Sequence, residues 1–307
     1  MRVVTYNIRF AWGLDGRVDL ERIAESVRDA DIIALQEVER FWRRSGMSDQ
    51  PAELARLLDG YYWVYGPAFD VDASERGPNG EIANRRRQFG TMVLARWPIL
   101  ASRLLVLPKC ATVHHFNMDL GALECVIDTT LGPLRVYSLH LSSLSAPERL
   151  GQIERLLDRH REAAASGGPW TGDFKIQDPA ERDQSAVFNW SNGESPPAMP
   201  STALLLGDFN SEPDSAEYER IVGPVDPAMG RVGYSGGFVD SWSAANGEAQ
   251  EDFTWWPDPP ERSPQRGMRL DYCFASAELA GTIRRAWIDQ AAQGSDHRPY
   301  WVEFAAA

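Results

Sequence analysis

Leu204-Leu205-Leu206-Gly207-Asp208-Phe209-Asn210 is an apolar run that ends on a carboxylate and a carboxamide with one aromatic residue between them. A short, continuous apolar run closed by a turn signal reads as a strand covered on both faces. In extended geometry Asp208 and Asn210 point to the same side, while Phe209 turns into the core. A carboxylate beside a carboxamide at a strand end can hold and orient an attacking water. The plainer reading of the same pair is an Asx turn leaving the strand.

The pattern recurs along the chain. Thr5-Tyr6-Asn7, Leu35-Gln36-Glu37 and Ser138-Leu139-His140 each end an apolar run, and Ser295-Asp296-His297 just precedes one. Strand-like runs fall at 3–8, 32–35, 91–95, 123–128, 134–139, 203–206, 272–275 and 300–304, most of them apolar on both faces. Amphipathic helices lie between them. Leu20, Ile23, Ala24 and Val27 keep helical spacing behind an Asp19 cap, and Ser145 with Glu148 forms a capping box ahead of Leu150, Ile153 and Leu157. Strands interleaved with helices over the whole length indicate an α/β layered fold. No linker or repeat divides the chain.

Two stretches break the pattern. Residues 70–89 are polar, with Gly77-Pro78-Asn79-Gly80 followed by Arg85-Arg86-Arg87. Residues 165–200 form a long segment rich in Gly, Pro, Ser and Asp that carries Trp170, Phe174, Phe188 and Trp190. Loops this long inside compact domains are often functional or disordered, and four aromatic residues argue against simple disorder.

Composition narrows the function. Of 307 residues, 43% are hydrophobic and 24% charged, as in soluble globular proteins. The net charge of −13 argues against non-specific binding of duplex DNA, where Lys and Arg contacts supply most of the affinity; a small or single-stranded substrate stays compatible. Cys110, Cys125 and Cys273 form no CxxC pair and read as buried thiols in a reducing compartment. Val3 and Val4 already belong to the first strand-like run, no run reaches the length of a membrane span, and the Asn189-Trp190-Ser191 sequon reads as chance. The expected location is cytoplasmic, and no protein partner is evident.

The polar strand ends carry the chemistry. Glu37 directly follows a buried strand, where a carboxylate is costly unless it pairs or binds a cation; a salt-bridged or solvated Glu is the competing reading. Asn7 is a candidate metal ligand or a turn Asn. An imidazolium at His140 can hydrogen-bond a phosphate oxygen or protonate a leaving group. Asp271 is the expected partner of His297, since a buried carboxylate fixes the imidazole's tautomer and raises its basicity. That leaves Asp296 to face a metal.

Taken together, TYNIRF, ALQEVE, FGTMVLARWPI, SLHLSS, LLLGDFNSEP, RLDYCFAS and SDHRPYWVEF, in this order from one end of the chain to the other, resemble the endonuclease/exonuclease/phosphatase superfamily. Within it the chain resembles the deoxyribonuclease-like and exonuclease III-like metal-dependent phosphohydrolases, and its overall look is most similar to their bacterial metal-dependent hydrolase branch. The resemblance implies a four-layered α/β sandwich, with two mixed β-sheets packed face to face and helices outside. It implies one catalytic domain over 1–307 with a long insertion at about 165–200. Metal coordination by Glu37, with Asn7 and Asp296 nearby, is implied as well. Asp208 and Asn210 would position or activate the water, His297 oriented by Asp271 would be a base or phosphate-oxygen ligand, and His140 would be the second catalytic imidazole. Abasic-site endonucleases usually place a Tyr near this last point, so the chain departs from them.

The reaction these features indicate is in-line attack of water on phosphorus with Mg2+ or Mn2+. A phosphodiesterase acting on a small molecule or a nucleic acid is the favoured reading. The alternatives are a phosphomonoesterase acting on a polyphosphorylated compound and an inactive scaffold that only binds. Arg85-Arg86-Arg87 reads as a second phosphate site or as a solvated basic run, and Trp255-Trp256-Pro257 as a border of the active-site face or as core or rim packing.

Overall fold

The computed structural model describes residues 1–172, 194–247, 252–257 and 266–305. Phe174, Phe188, Trp190 and the 189–191 sequon lie outside the described residues.

Among the described residues, twelve strands build two large sheets. They are β1 (Arg2–Asn7), β2 (Ile32–Arg40), β3 (Tyr62–Asp72), β4 (Arg86–Ala95), β5 (Ile99–Val106), β6 (Gly121–Thr129), β7 (Gly132–His140), β8 (Ala203–Asp208), β9 (Phe238–Asp240), β10 (Asp271–Ser276), β11 (Ile283–Ile288) and β12 (Tyr300–Phe304). The first sheet runs β11-β12-β1-β2-β4-β3 and the second β9-β10-β8-β7-β6-β5. Each sheet holds one parallel pair at its centre, β1 with β2 and β8 with β7, among antiparallel neighbours. Two mixed sheets with helices on their outer faces form the four-layered sandwich.

Alternation along the strands explains the layering. Val3, Ile32, Val93, Val136, Leu204, Leu206 and Cys273 face between the sheets in one buried cluster. Their neighbours point outward. Val4, Ile33, Leu35 and Leu94 pack under helices α1 (Leu20–Val27) and α2 (Gln50–Leu57). Tyr137, Leu139, Leu205 and Phe274 pack under α3 (Ala146–Ser166) and α4 (Ala216–Val222). Strands covered on both faces must be apolar on both, which is why their runs are nearly continuous. Asp19 caps α1 by accepting from Arg22 N. Ser145 likewise caps α3 from Glu148 N at 3.4 Å, but the Glu148 carboxylate does not close the expected box. It accepts instead from Cys110 N and Asn117 Nδ2, tying the 110–117 loop to the helix.

The structure departs from the expectations in three places. Much of the polar 70–89 stretch is strand: β3 reaches Asp72, β4 starts at Arg86, and a short ribbon pairs Glu75–Arg76 with Ile82–Ala83 around a turn. Cross-strand pairs such as Arg86–Asp70 stabilise it without an apolar face. Cys110 is exposed, whereas Cys125 and Cys273 are buried as expected. Finally, β2 does not stop at Leu35. It passes through a bulge between Leu35 and Val38 and continues to Arg40. No helix among the described residues is long and apolar enough to cross a membrane.

Two glycines test the packing from opposite directions. A Cβ on Gly207 would lie 2.0 Å from the Leu139 carbonyl of the neighbouring parallel strand, so Gly207→Ala is expected to lower stability by about 2–3 kcal/mol. Gly151, inside α3, has nothing within 4 Å of that position, so Gly151→Ala is expected to add about 0.5–1 kcal/mol. Urea unfolding of both variants measures the two opposite shifts.

Candidate active site

The carboxyl ends of the two parallel pairs meet at one edge of the sandwich. β1 and β2 deliver Asn7 and Glu37 from one sheet, and β7 and β8 deliver His140 and Asp208 from the other. Asp271, at the start of β10, stands opposite Asp208 in register. The 295–297 segment leads into β12 beside the end of β1. Glu37, His140, Asp208, Asn210, Asp296 and His297 all line one cleft of about 410 Å3.

The bulge in β2 decides which side chain reaches the cleft. Glu37 adopts φ 58, an unfavourable backbone for a non-glycine residue, and the step sends Gln36 inward while Glu37 faces the cleft. Gln36, fully buried, donates to Ser138 Oγ of the opposite sheet at 3.1 Å and accepts from Thr5 Oγ1 at 3.2 Å. Ser138 donates back to the Leu35 carbonyl at 3.0 Å, and Thr91 donates to the Ser138 carbonyl at 3.1 Å. This buried polar bridge fixes the two sheets relative to each other directly behind the cleft.

Asp208 Oδ2 is the hub. Asn7 Nδ2 donates to it at 2.9 Å and to Glu37 Oε1 at 3.1 Å, bridging carboxylates from the two sheets. His140 Nε2 lies 3.5 Å from the same oxygen and His297 Nε2 lies 3.7 Å from it. The other oxygen, Oδ1, accepts from Asn210 N at 2.9 Å. Here β8 ends at Asp208 and Asn210 takes φ 49, so the pair forms an Asx turn rather than an extended strand. Both residues still face the cleft, and Phe209 is buried edge-on against Tyr272 and Phe274.

His297 Nδ1 donates to Asp271 Oδ2 at 2.7 Å, with Asp271 fully buried. Burial opposes a charged imidazole, but the Asp271 and Asp208 carboxylates outweigh it and push the His297 pKa up to about 10. Burial raises the Asp208 carboxyl above its ordinary range, and Asp271 adds to this against the lowering pull of His297. Asp296 stands apart from this group. Arg9 Nε lies 3.6 Å from its Oδ2, and Trp255 donates to the same oxygen at 3.3 Å. Trp255 lines the cleft, as the border reading of Trp255-Trp256-Pro257 anticipates.

The residues expected to bind metal and those expected to do chemistry sort differently in space. Ligand atoms of Asp208, Asp271 and His297 lie within 4.8 Å of one another, a group drawn wholly from the expected catalytic set. Glu37 joins them through Asn7, and Asp296 borders the cleft through Arg9 and Trp255. Sequence reading missed Arg9, Phe10, Arg44, Phe89 and Ser142 in the cleft wall. Arg9 had a signal, being two residues past Asn7. Arg44 had none, since it lies on a short turn beyond the far end of β2.

Residues 4–297 match the Endonuclease/Exonuclease/phosphatase family. No curated protein sequence matches the chain. Solved structures share the fold at low identity. An endonuclease/exonuclease/phosphatase from Beutenbergia cavernae is 20% identical at a TM-score of 0.59, over 98% of this chain and 70% of that one. A mannosyl-6-phosphatase from Bacteroides thetaiotaomicron is 15% identical at a TM-score of 0.58, over the full length of both. A 3′ phosphatase from Neisseria bound to product DNA hairpin gives the same identity and score over the full length of both. Because the family match takes in almost every strand that feeds the cleft, the chain belongs to the Endonuclease/Exonuclease/phosphatase family of hydrolytic phosphoesterases.

Proposed function

We propose that the protein is a divalent-metal-dependent phosphodiesterase that hydrolyses a P–O bond by in-line attack of water. The observation that carries this reading is the convergence on Asp208 Oδ2 of Asn7, His140 and His297, with His297 held by Asp271. The shared core between the two sheets supports taking the whole chain as one catalytic domain.

The donor set suits a hard cation. Glu37 and Asp208 both accept from the Asn7 amide, and carboxylate oxygens are the ligands a hard cation prefers. Glu37 is the ligand we assign, with Asn7 and Asp296 as its neighbours and Mg2+ or Mn2+ as the ion. When bound, the ion supplies neutralisation of charge on the phosphoryl oxygens.

The protein's own groups divide the remaining work. The Asp271 and Asp208 carboxylates favour the charged imidazole against its burial, so His297 is the group to donate from Nε2 to a phosphoryl oxygen rather than to take a proton. Burial makes the Asp208 carboxylate more basic, and in its ionised form it is then the group that accepts the proton of the attacking water. Asn210, through its backbone N–H, fixes the carboxylate for that transfer. His140 Nε2 faces the same space and serves the leaving-group oxygen or a second phosphoryl oxygen. A monoesterase is the second reading, favoured by the phosphatases among the similar structures.

Bis(p-nitrophenyl) phosphate and p-nitrophenyl phosphate separate the two. Magnesium-dependent turnover of the diester, abolished by EDTA and restored by added metal, is the expected result. Turnover of the monoester alone would move the assignment to the second reading, and absence of metal-dependent turnover on either would reject both. His297→Asn is expected to reduce kcat by about 10²–10⁴-fold with a smaller change in KM, read in the same assay. Activity equal to wild type would remove His297 from the mechanism.

Asp271→Asn gives a pH test. The folded pKa of His297 lies above the value of about 6.5 expected when unfolded, so its imidazolium stabilises the fold fully below that pH and loses the contribution as pH rises through about 10. Removing the carboxylate is expected to bring the His297 titration down toward neutrality and to flatten stability over that window. Proton NMR of the imidazole in metal-free protein, with urea unfolding from pH 6 to 10, measures both.

A further inference from the structure

In a chain of net charge −13, six arginines gather on one flank of the cleft, at the outer ends of β2 and β4 and the turn between β2 and α2: Arg40, Arg43, Arg44, Arg85, Arg86 and Arg87. Four face carboxylates: Arg40–Asp49, Arg44–Glu39, Arg85–Glu75 and Arg86–Asp70. Arg44 differs from the other three. It is the one of these that lines the cleft, and its carboxylate partner, Glu39, is fully buried. Burying a carboxylate only to meet a surface arginine loses more in desolvation than the attraction returns. The pair makes physical sense as a device that aims the guanidinium.

The rest of the surroundings do the same. Arg44 lies 4.0 Å above the Phe10 ring and 4.7 Å from the Trp42 ring. Its Nε and Nη2 both donate to Glu39 Oε2, at 3.1 and 2.9 Å, while Nη1 makes no hydrogen bond among the described residues. The Phe10 ring is placed by strained backbone, since Arg9, Phe10 and Ala11 have φ of 45, 46 and 64. Buried Gln50 holds that segment by donating to the Phe10 carbonyl at 2.8 Å and accepting from Glu39 N at 3.1 Å. One side chain thus ties the ring under Arg44 to the carboxylate beside it. Arg87 stacks on the same Trp42 ring, 5.8 Å from its centre.

We propose that Arg44, laid on Phe10 and Trp42, is a specificity-determining residue that takes a second phosphate of the substrate, beyond the ester that is cleaved. The proposal rests on the phosphoesterase reading and deepens it. A planar guanidinium with one edge fixed and the other open matches the oxygen pairs of a phosphate. Arg87 adds positive charge behind it. The adjoining phosphate of a nucleotide and the further phosphate of a polyphosphorylated sugar share this chemistry.

The test compares substrates that differ only in the second phosphate. The nucleotide pair is thymidine 5′-(p-nitrophenyl phosphate) with and without a 3′-phosphate; the sugar pair is glucose 1,6-bisphosphate and glucose 1-phosphate. Wild type is expected to favour the second phosphate by about tenfold in KM, with little change in kcat. Arg44→Gln is expected to bring that ratio to about one, and Arg44→Lys to keep part of it. A preference in only one pair identifies the source of the phosphate. A wild type without preference in either pair, or an Arg44→Gln that weakens both members of a pair equally, overturns the subsite. If Arg44→Gln does not fold, as judged by near-UV circular dichroism, Arg44→Lys and Phe10→Leu decide by the same ratio. Calorimetry of thymidine 3′,5′-bisphosphate against thymidine 5′-monophosphate, with magnesium present, reads the preference without turnover. Absence of all turnover would therefore count against the phosphoesterase reading, while the calorimetric ratio still decides the subsite.

Discussion

One amide nitrogen, Asn7 Nδ2, hydrogen-bonds carboxylates that arrive from opposite sheets, Glu37 at 3.1 Å and Asp208 at 2.9 Å. Both bonds form only if the sandwich holds its sheets in one fixed relation, because each needs its donor and acceptor within hydrogen-bond reach. An apolar interface alone sets that relation loosely, because apolar side chains slide with little directional preference. The Gln36–Ser138 bridge and its partners Thr5 and Thr91 supply direction. They are fully or almost fully buried and mutually satisfied, so a shift of one sheet against the other would leave several polar groups without partners.

Backbone strain clusters around the same edge. Glu37, Asn210 and the Arg9-Phe10-Ala11 run all take positive φ without being glycine, at about 1–3 kcal/mol each. Such strain persists only where surrounding bonds over-determine the conformation. Asn7 Oδ1 accepts from Arg9 N, Asp208 Oδ1 accepts from Asn210 N, and Gln50 grips the Phe10 carbonyl. The residues that shape the cleft are therefore also the ones that fix the strained turns, so catalytic geometry and local backbone stability are coupled.

Much of this was legible in the sequence. Strands covered on both faces leave continuous apolar runs, so eight strands announced themselves, and Glu37, His140 and Asp208 after the runs of β2, β7 and β8, with Asp296 and His297 just before β12, line the cleft. Asp271 with His297 followed from the chemistry of a buried imidazole, and the geometry has them 2.7 Å apart. Other features left no local signal. β3 and β5 are partly exposed, with mixed patterns that do not alternate cleanly. The bulge at Glu37 depends on Gln36 finding a partner in the opposite sheet, a contact 102 residues away. The Arg44 platform is likewise assembled by Phe10, Glu39 and Gln50, residues that local patterning has no reason to group. Of the two readings of Asp208 and Asn210, the Asx turn is the one the structure shows, and it turns both residues to the cleft.

The most direct test of the account is a crystal structure with manganese and phosphate, located by anomalous scattering. The expected result is manganese bound by a Glu37 carboxylate oxygen, beside Asn7 and Asp296, with phosphate against His140 and His297. Manganese bound elsewhere, or bound in the cleft without Glu37, would contradict it.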